Sequence, residues 1–239
     1  MMLSWLDKTA CDMTMHILQT DFQGDHNLGL FGRVNKSICL LSNFVSEKNL
    51  KKIEDVLKVQ VINTTLANTD FIGMLCSMNS NGIVLPNILN NDELKKIKAV
   101  AKRLGMNLLQ LKTKYTAIGN LILCNDNGAV ISKYFSKLDK KKIGDCLDVE
   151  VAHATVAGMN TVGSCGVATN SGCLLHRDAT EDEIKIVQSL LKIDAGIGTA
   201  NFGSPFVGSC VIANSHGALV GQSTTGPEVN RIMETLELV

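Results

Sequence analysis

Apolar residues recur with the period of a helix in several stretches of the chain. Each stretch places them at i, i+3 and i+7, the stripe expected of a helix that lies on a sheet. The four regular stripes are Leu50/Ile53/Leu57, Leu94/Ile97/Ala101, Ile184/Val187/Leu191 and Val229/Ile232/Leu236. A fifth stretch keeps Ile143 and Leu147 but has Lys140 at its first position. The pattern predicts five amphipathic helices of similar length.

A short apolar strand opened by a glycine is predicted ahead of each helix. These anchor glycines follow one another at spacings of 44, 46, 44 and 45 residues, and they are Gly29, Gly73, Gly119, Gly163 and Gly208. Such regular spacing is the signature of an internal repeat. The chain is therefore divided into five units, starting near residues 28, 72, 118, 162 and 207.

Turn and capping residues recur at fixed offsets within the units. Nine residues past the anchor, four units carry a second glycine, for which the sequence predicts a tight turn with positive φ (Gly82, Gly128, Gly172 and Gly217). The first unit has Ile38 there and is expected to turn differently. Seventeen residues past the anchor lie good helix N-caps: Ser46, Asn90, Ser136, Thr180 and Thr225. Glu183 and Glu228 complete capping boxes in the last two units.

A further strand-like segment follows each of the first four helices, but the chain ends after the fifth. The missing strand is found at the front, in residues 15–24. Pairing of this segment with the last unit would close a ring and remove exposed sheet edges. The predicted fold is a single closed five-bladed α/β-propeller over residues 15–239. A four-stranded propeller of similar period is disfavoured by the capped helix in each unit. Residues 1–14 are predicted to be a disordered extension, with Met15 as a candidate start.

Composition narrows the classes of function. Lys+Arg and Asp+Glu both number 23, so any contact with nucleic acid should be local, and no DNA partner is expected. The 8 cysteines form no C-x-x-C pair and are interpreted as reduced thiols of a cytoplasmic protein. No apolar run approaches the ~20 residues that span a bilayer, so no membrane association is expected. Neither a cofactor motif nor a zinc site is predicted.

Several segments resemble the translation initiation factor 6 family in its archaeal form. They are "TKYTAIGNLILCND" at 113–126, "NGIVLPNI" at 81–88, "GTANFGSPFVGSCVIANSHGALVG" at 198–221 and "TTGPE" at 224–228. The resemblance runs from about Met15 to Val239 and implies the pentein α/β-propeller fold. It also implies a monomeric, non-enzymatic factor that binds the large ribosomal subunit near the sarcin–ricin loop and keeps the small subunit from joining. A role in large-subunit biogenesis is implied as well.

The alternative function is that of the guanidine-modifying pentein hydrolases, which use a cysteine nucleophile. Cys165 and Cys210 each lie two residues past an anchor glycine and are the candidates. Their shared position favours a small buried residue in each unit instead. A thiolate needs a positive neighbour to lower its pKa, and no basic residue lies in these strands. His216 is interpreted as a turn residue and His176 as a surface residue.

The resemblance implies that Asn120 lies on the ribosome-facing side. The other units have Leu30, Met74, Ser164 and Ser209 at this position, so its polar amide departs from the repeat. Gly119 beside it allows close backbone approach. Asn79, Asn125 and the adjacent Asp126 are further candidate contacts, although Asn79 and Asn125 also suit turns. The run Lys140 to Lys142, near Lys133 and Lys137, is interpreted as a solvated helix face, with a local contact to ribosomal RNA as the alternative.

Overall fold

The computed structural model describes residues 16–43, 45 and 47–238, with the side chains of residues 47 and 48 left aside. The predictions for residues 1–14, for Met15 and for the cap at Ser46 lie outside the described residues. The described part is a mixed α/β fold with five sheets of three strands each. This confirms the predicted α/β class and the five repeated units.

Every sheet follows one plan, in which the second strand of a unit lies in the middle. It pairs antiparallel with the first strand and parallel with the third. The first strands are Gly32–Val34, Ser77–Met78, Ile122–Cys124, Gly166–Ala168 and Ile212–Ala213. The second strands are Ile38–Ser42, Gly82–Pro86, Gly128–Ile131, Gly172–His176 and Ala218–Gly221. The third strands are Gln60–Thr64, Asn107–Leu111, Glu150–His153, Asp194–Gly198 and, for the fifth unit, Ile17–Thr20.

The N-terminal strand completes the last sheet as predicted. Ile17–Thr20 runs parallel to Ala218–Gly221, with Ile17 opposite Ala218 and Thr20 opposite Gly221. The central strand of this sheet is therefore paired on both sides, with one partner from each end of the chain.

The main helices cover the outside of the sheets. They span Glu47–Leu57, Asn91–Leu104, Lys137–Leu147, Glu181–Leu191 and Gly226–Leu236. Four of them also contact strands of the preceding unit, so that five hydrophobic clusters form between neighbouring sheets. Asn90, Ser136, Thr180 and Thr225 cap their helices as predicted, and Glu93 and Asp139 extend the capping box to two more units.

The anchor glycines lie in short helical turns that precede the first strands, and not in the strands themselves. The turns are Leu28–Leu30, Ile72–Leu75, Ile118–Leu121 and Val207–Cys210, with a turn of the same position at 162–164. The first strands contact one another in cyclic order, and that of the fifth unit contacts that of the first.

The prediction for the second set of glycines is wrong. Gly82, Gly128, Gly172 and Gly217 do not have positive φ. A Cβ on Gly217 would lie 2.6 Å from the carbonyl oxygen of Val56, and the other three would overlap a carbonyl near the end of the next unit's helix. These positions require glycine because a helix end lies too close to leave room for a Cβ. The turn itself does not require a positive φ there. Unit one turns like the others, since Asn35 Oδ1 accepts from the N–H groups of Ser37 and Ile38.

Candidate interaction surfaces at the two ends of the sheets

One end of the sheets is closed by buried asparagines six residues past the anchors. Asn125 is typical: its Oδ1 accepts from the N–H groups of Asn127 and Gly128. Its Nδ2 donates to the carbonyl of Thr169 (3.1 Å) in the next unit and to that of Leu191 (2.9 Å) at a helix end. Helix ends leave such carbonyls without partners in the helix, so this amide satisfies one of them. One side chain therefore shapes a turn and joins two units.

The same bonds link most units at this end, called here the asparagine face. Asn35 donates to Asn79, Asn79 donates to Asn125 and Leu147, and Asn214 donates to Asn35 and Leu57. The fourth unit has Thr169, whose hydroxyl accepts from Ser171 and Gly172 N–H and donates only to the Gly172 carbonyl. The fourth unit is therefore not joined to the fifth by an asparagine amide at this position.

Asp126 lies beside this set and joins its own unit to three others. Its carboxylate accepts from Ser80 N–H (2.7 Å), from Asn170 Nδ2 (2.8 Å) and from Lys36 Nζ (3.0 Å). Burial alone would raise the pKa of Asp126, but the hydrogen bonds from Ser80, Lys36 and Asn170 lower it. This carboxylate is thus committed to internal bonds at neutral pH.

The opposite end, called here the glycine face, is closed by direct contacts between backbones. A Cβ on any anchor glycine would overlap the carbonyl oxygen of the preceding anchor: Gly73 against Gly29, Gly119 against Gly73, Gly163 against Gly119, Gly208 against Gly163, and Gly29 against Gly208. The five contacts form a complete cycle. Only glycine permits such close approach of backbones.

Asn120 lies on the glycine face, directly after one of these contacts. Its backbone carbonyl accepts from Gly163 N–H (2.9 Å), which fixes its position. Its side chain is partly buried, and within the described residues its amide makes no hydrogen bond. A polar side chain held in place with a free amide is suited to bind a partner.

The connecting loops on the glycine face are tied to the helices by their capping glutamates. Glu183 accepts from Thr155 Oγ1 (2.7 Å), Ala157 N–H (2.8 Å) and Gly158 N–H (2.9 Å). Burial opposes the charged form, but hydrogen bonds from Thr180, Gly158, Thr155 and Ala157 lower the pKa of Glu183 to about 2. Glu93 and Glu228 bind the loops of the second and fifth units in the same way.

The loop ahead of the third unit is built differently. Asp139 replaces the glutamate there and bonds to its own cap, Ser136. Tyr115 of this loop instead stacks on Tyr134, with ring centroids 4.9 Å apart and planes 13° apart. Lys114 Nζ lies 5.1 Å from the centroid of the Tyr115 ring, within cation–π range.

Exposed lysines surround this tyrosine pair, and Asn120 belongs to the same unit. Lys112 and Lys114 lie on the loop, and Lys133 and Lys137 lie just before and at the start of the helix. Among the described residues, none of the four forms an ion pair. Sequence reasoning identified Lys133 and Lys137 but missed Lys114, Tyr115 and Tyr134. The "KTKYT" and "KYFSK" segments that contain them are separated in sequence and are joined only by the fold.

The five predicted site residues fall on opposite faces. Gly119 and Asn120 lie on the glycine face, whereas Asn79, Asn125 and Asp126 lie on the asparagine face. Asn79 and Asn125 are buried and use their amides internally. Of the five, Asn120 alone combines partial exposure with an amide that bonds to no described residue.

The two candidate thiols lack the surroundings of a nucleophile. Both are buried, and burial raises the pKa of Cys165 to about 11 and also raises that of Cys210. Cys210 Sγ lies 3.4 Å from both Asn27 Oδ1 and Ser204 Oγ, and Cys165 Sγ lies 3.9 Å from Thr161 Oγ1. A reactive thiol needs the opposite, a lowered pKa and access.

The histidines do not complete a catalytic group. His176 is buried, contrary to the surface position predicted, because it ends a central strand and packs edge-on against Phe206. His216 N–H donates to Asn214 Oδ1 within the predicted turn. In the described part of the chain, no group of three or more His, Cys, Asp or Glu residues is placed to hold a metal ion.

None of the described helices combines the length and apolar character needed to cross a bilayer.

Comparison with known proteins identifies the family. Residues 17–235 match the model of the eIF-6 family. Translation initiation factor 6 of Pyrococcus abyssi is 43% identical over 81% of this chain and 86% of the relative, and that of Pyrococcus furiosus is 45% identical with the same coverage. The Methanocaldococcus jannaschii protein of that name is 41% identical over 82% of this chain and 86% of its own length.

A solved structure of Campylobacter jejuni agmatine deiminase overlaps 54% of this chain and 50% of its own. The TM-score is 0.37 and the sequence identity is 16%, too low to support a conclusion about fold or activity. The match to the family model covers nearly all the described residues, including both faces. The chain belongs to the eIF-6 family of translation initiation factors.

Proposed function

We propose that this protein is a non-enzymatic, cytoplasmic factor that binds the large ribosomal subunit as a monomer and prevents the small subunit from joining. The relatives are named translation initiation factor 6, which supports a role at initiation. Steric occlusion requires a rigid body with one binding face and no chemistry. We also propose that the fold is a closed five-bladed propeller, which the cyclic contacts of the first strands support.

The glycine face is the proposed binding surface. This proposal rests mainly on the free amide of Asn120. The side chain makes no hydrogen bond to the described residues, while its backbone is fixed by Gly163 N–H. Gly119 has an indirect role, since its close contact with Gly73 sets where Asn120 lies. Asn79, Asn125 and Asp126 support the ring from the other side.

A local contact to ribosomal RNA belongs to the same surface. Lys112, Lys114 and Lys133 are exposed, and the stacked Tyr115 and Tyr134 offer an aromatic platform. Lysines supply phosphate contacts, and aromatic rings stack on unpaired bases. Because the net charge of the chain is +0, such a contact would be confined to this patch.

Co-sedimentation tests the function directly. The protein is mixed with purified large subunits, small subunits are added, and the gradient is analysed for joined ribosomes. We expect the protein to travel with the large subunit and joined ribosomes to decrease as its concentration rises. Failure to sediment with the large subunit, combined with turnover of arginine or another guanidine substrate, would establish the hydrolase alternative instead.

The site is tested by Asn120→Ser, with Asn230→Ser as its control on an exposed helix position. Loss of the amide should weaken large-subunit binding about tenfold or more, the effect of one or two lost hydrogen bonds at an interface. The melting temperature should stay near that of the wild type. Equal binding by both variants would show that Asn120 does not contribute to the binding site.

The RNA contact is tested by two triple lysine-to-alanine variants of equal charge. One replaces Lys112, Lys114 and Lys133 on the glycine face, and the other replaces Lys140, Lys141 and Lys142 on the helix. Loss of a phosphate contact should reduce the slope of log K against log salt by roughly one per contact. We expect a reduced slope for the first variant only. A reduced slope for the second alone would move the contact to the helix.

A further inference from the structure

A small cavity lies between the first strands of the five sheets. It has a volume of about 30 Å³, room for only one or a few water-sized particles. The residues four past each anchor contribute to its lining: Arg33, Ser77, Leu123, Val167 and Ile212. Arg33 is the one charged residue of this lining, in a position where the other units carry neutral side chains.

Arg33 is held by backbone carbonyls and by no carboxylate. Its Nε donates to the Cys76 carbonyl at 3.1 Å, and its Nη2 donates to the carbonyls of Gly73 and Gly119. Within the described residues its Nη1 makes no hydrogen bond, and no ion pair includes Arg33. The two N–H groups of Nη1 are therefore free to bind something inside the cavity.

Other groups near the cavity do not neutralise the charge. Burial raises the pKa of Cys76 to about 12 and also raises that of Cys124, so both thiols stay protonated at neutral pH. Asp126, which lies on the asparagine face, is already bound by Lys36. Carbonyl dipoles reduce the cost of burying a guanidinium, but they carry no net charge.

We propose that Arg33 binds one small monovalent anion of the halide class inside this cavity, with Ser77 as a second donor. Ser77 is buried, and its hydroxyl lies 3.4 Å from Cys124 Sγ. The volume admits a single-atom anion and excludes a nucleotide or a larger organic acid. An anion here would neutralise the only charge of the lining and join Arg33 of the first unit to Ser77 of the second.

Anomalous scattering from bromide tests the site in the wild-type protein. The protein is unfolded, refolded in sodium bromide without chloride, and crystallised from the same salt, so that slow exchange into the cavity is no obstacle. We expect an anomalous peak within about 3.5 Å of Arg33 Nη1. A cavity with water density and no anomalous peak would overturn the proposal.

Thermal stability gives an independent readout. Chloride and gluconate are compared at equal ionic strength in the wild type, in Arg33→Met and in Arg103→Met, an exposed control. An anion bound only by the folded protein raises the Tm with each tenfold increase in its concentration above Kd. We expect this rise in the wild type and in Arg103→Met, and its loss in Arg33→Met. If Arg33→Met does not fold, the wild-type protein alone provides the test. Equal Tm values of the wild type in chloride and in gluconate would contradict the proposal.

Discussion

The two faces of this protein close the same five-fold repeat by opposite means. On the asparagine face, buried side chains such as Asn125 extend from one unit to the next and use every polar atom internally. On the glycine face, the units meet at glycines, and their backbones touch directly. The residues next to that contact are therefore free to differ between units, as Leu30, Met74, Asn120, Ser164 and Ser209 do. Both faces therefore hold the units together, and the residues that vary between units lie beside the glycine contact.

The largest expected effect comes from adding one methyl group to the glycine contact. Gly163→Ala would place a Cβ against the carbonyl oxygens of Gly119 and Ile122. Because backbone has to shift on both sides, we expect a loss of about 4 kcal/mol or insoluble expression. Gly226→Ala is the control, since nothing lies within 4 Å of its added Cβ. A melting temperature for Gly163→Ala close to that of the control would refute the close contact.

A smaller loss is expected from the asparagine face. Asn79→Ala removes the bonds to the carbonyls of Asn125 (3.1 Å) and Leu147 (2.8 Å), of which, among the described residues, only the latter keeps a second donor, Asn81 Nδ2. It also removes the acceptor of the Asn81 and Gly82 N–H groups. Unsatisfied buried polar groups predict a loss of about 2–4 kcal/mol in urea unfolding. Asn230→Ala, at an exposed helix position, should be nearly neutral. Equal unfolding midpoints for the two variants would mean that the amide links contribute little.

Acid should weaken the loops of the glycine face. The pKa of Glu183 is lowered to about 2 in the folded protein, so its contribution is present above about pH 4.5 and is lost as the pH falls towards 2. The full shift corresponds to about 3 kcal/mol, and solvent screening reduces it, so we expect about 2 kcal/mol from this residue in the free energy of unfolding measured against pH. Glu183→Gln should flatten that profile, whereas Glu181→Gln, exposed in the same helix, should leave it unchanged. Identical profiles for both variants would show that the carboxylate does not hold the loop.

The smallest expected effect is a gain in stability. Thr169→Asn would supply the amide missing from the fourth unit, in reach of the Asn214 carbonyl if it copies the geometry of Asn125. One added buried hydrogen bond predicts about 1 kcal/mol of stabilisation, read from the urea midpoint. Thr169→Ser keeps the hydroxyl and serves as the control. A destabilised Thr169→Asn would show that the fourth junction is shaped for threonine.

The fold was largely predictable because its signals are local and repeated. Anchor spacing, helix stripes and the caps at Asn90, Ser136, Thr180 and Thr225 each lie within one unit, so the sequence displays them directly. The pairing of Ile17–Thr20 with the last sheet followed from counting strands.

The site was less predictable because it depends on contacts between units. Asn120 and Asn125 are five residues apart in sequence, yet the strand Ile122–Cys124 carries the chain from one face to the other. Nothing local to Asn79 or Asn125 indicates that their amides bond to carbonyls 44 to 68 residues away. The same holds for the tyrosine pair beside Asn120, whose members come from separate segments.

The most direct measurement compares one substitution on the two faces. Asn120→Ser and Asn125→Ser are each assayed for binding to purified large ribosomal subunits and for thermal unfolding. We expect Asn120→Ser to lose binding at an unchanged Tm. We expect Asn125→Ser to have a lower Tm and, below its melting temperature, to keep its binding. The reverse pattern, or a loss of both properties in both variants, would contradict the assignment of binding to Asn120 and of a structural role to Asn125.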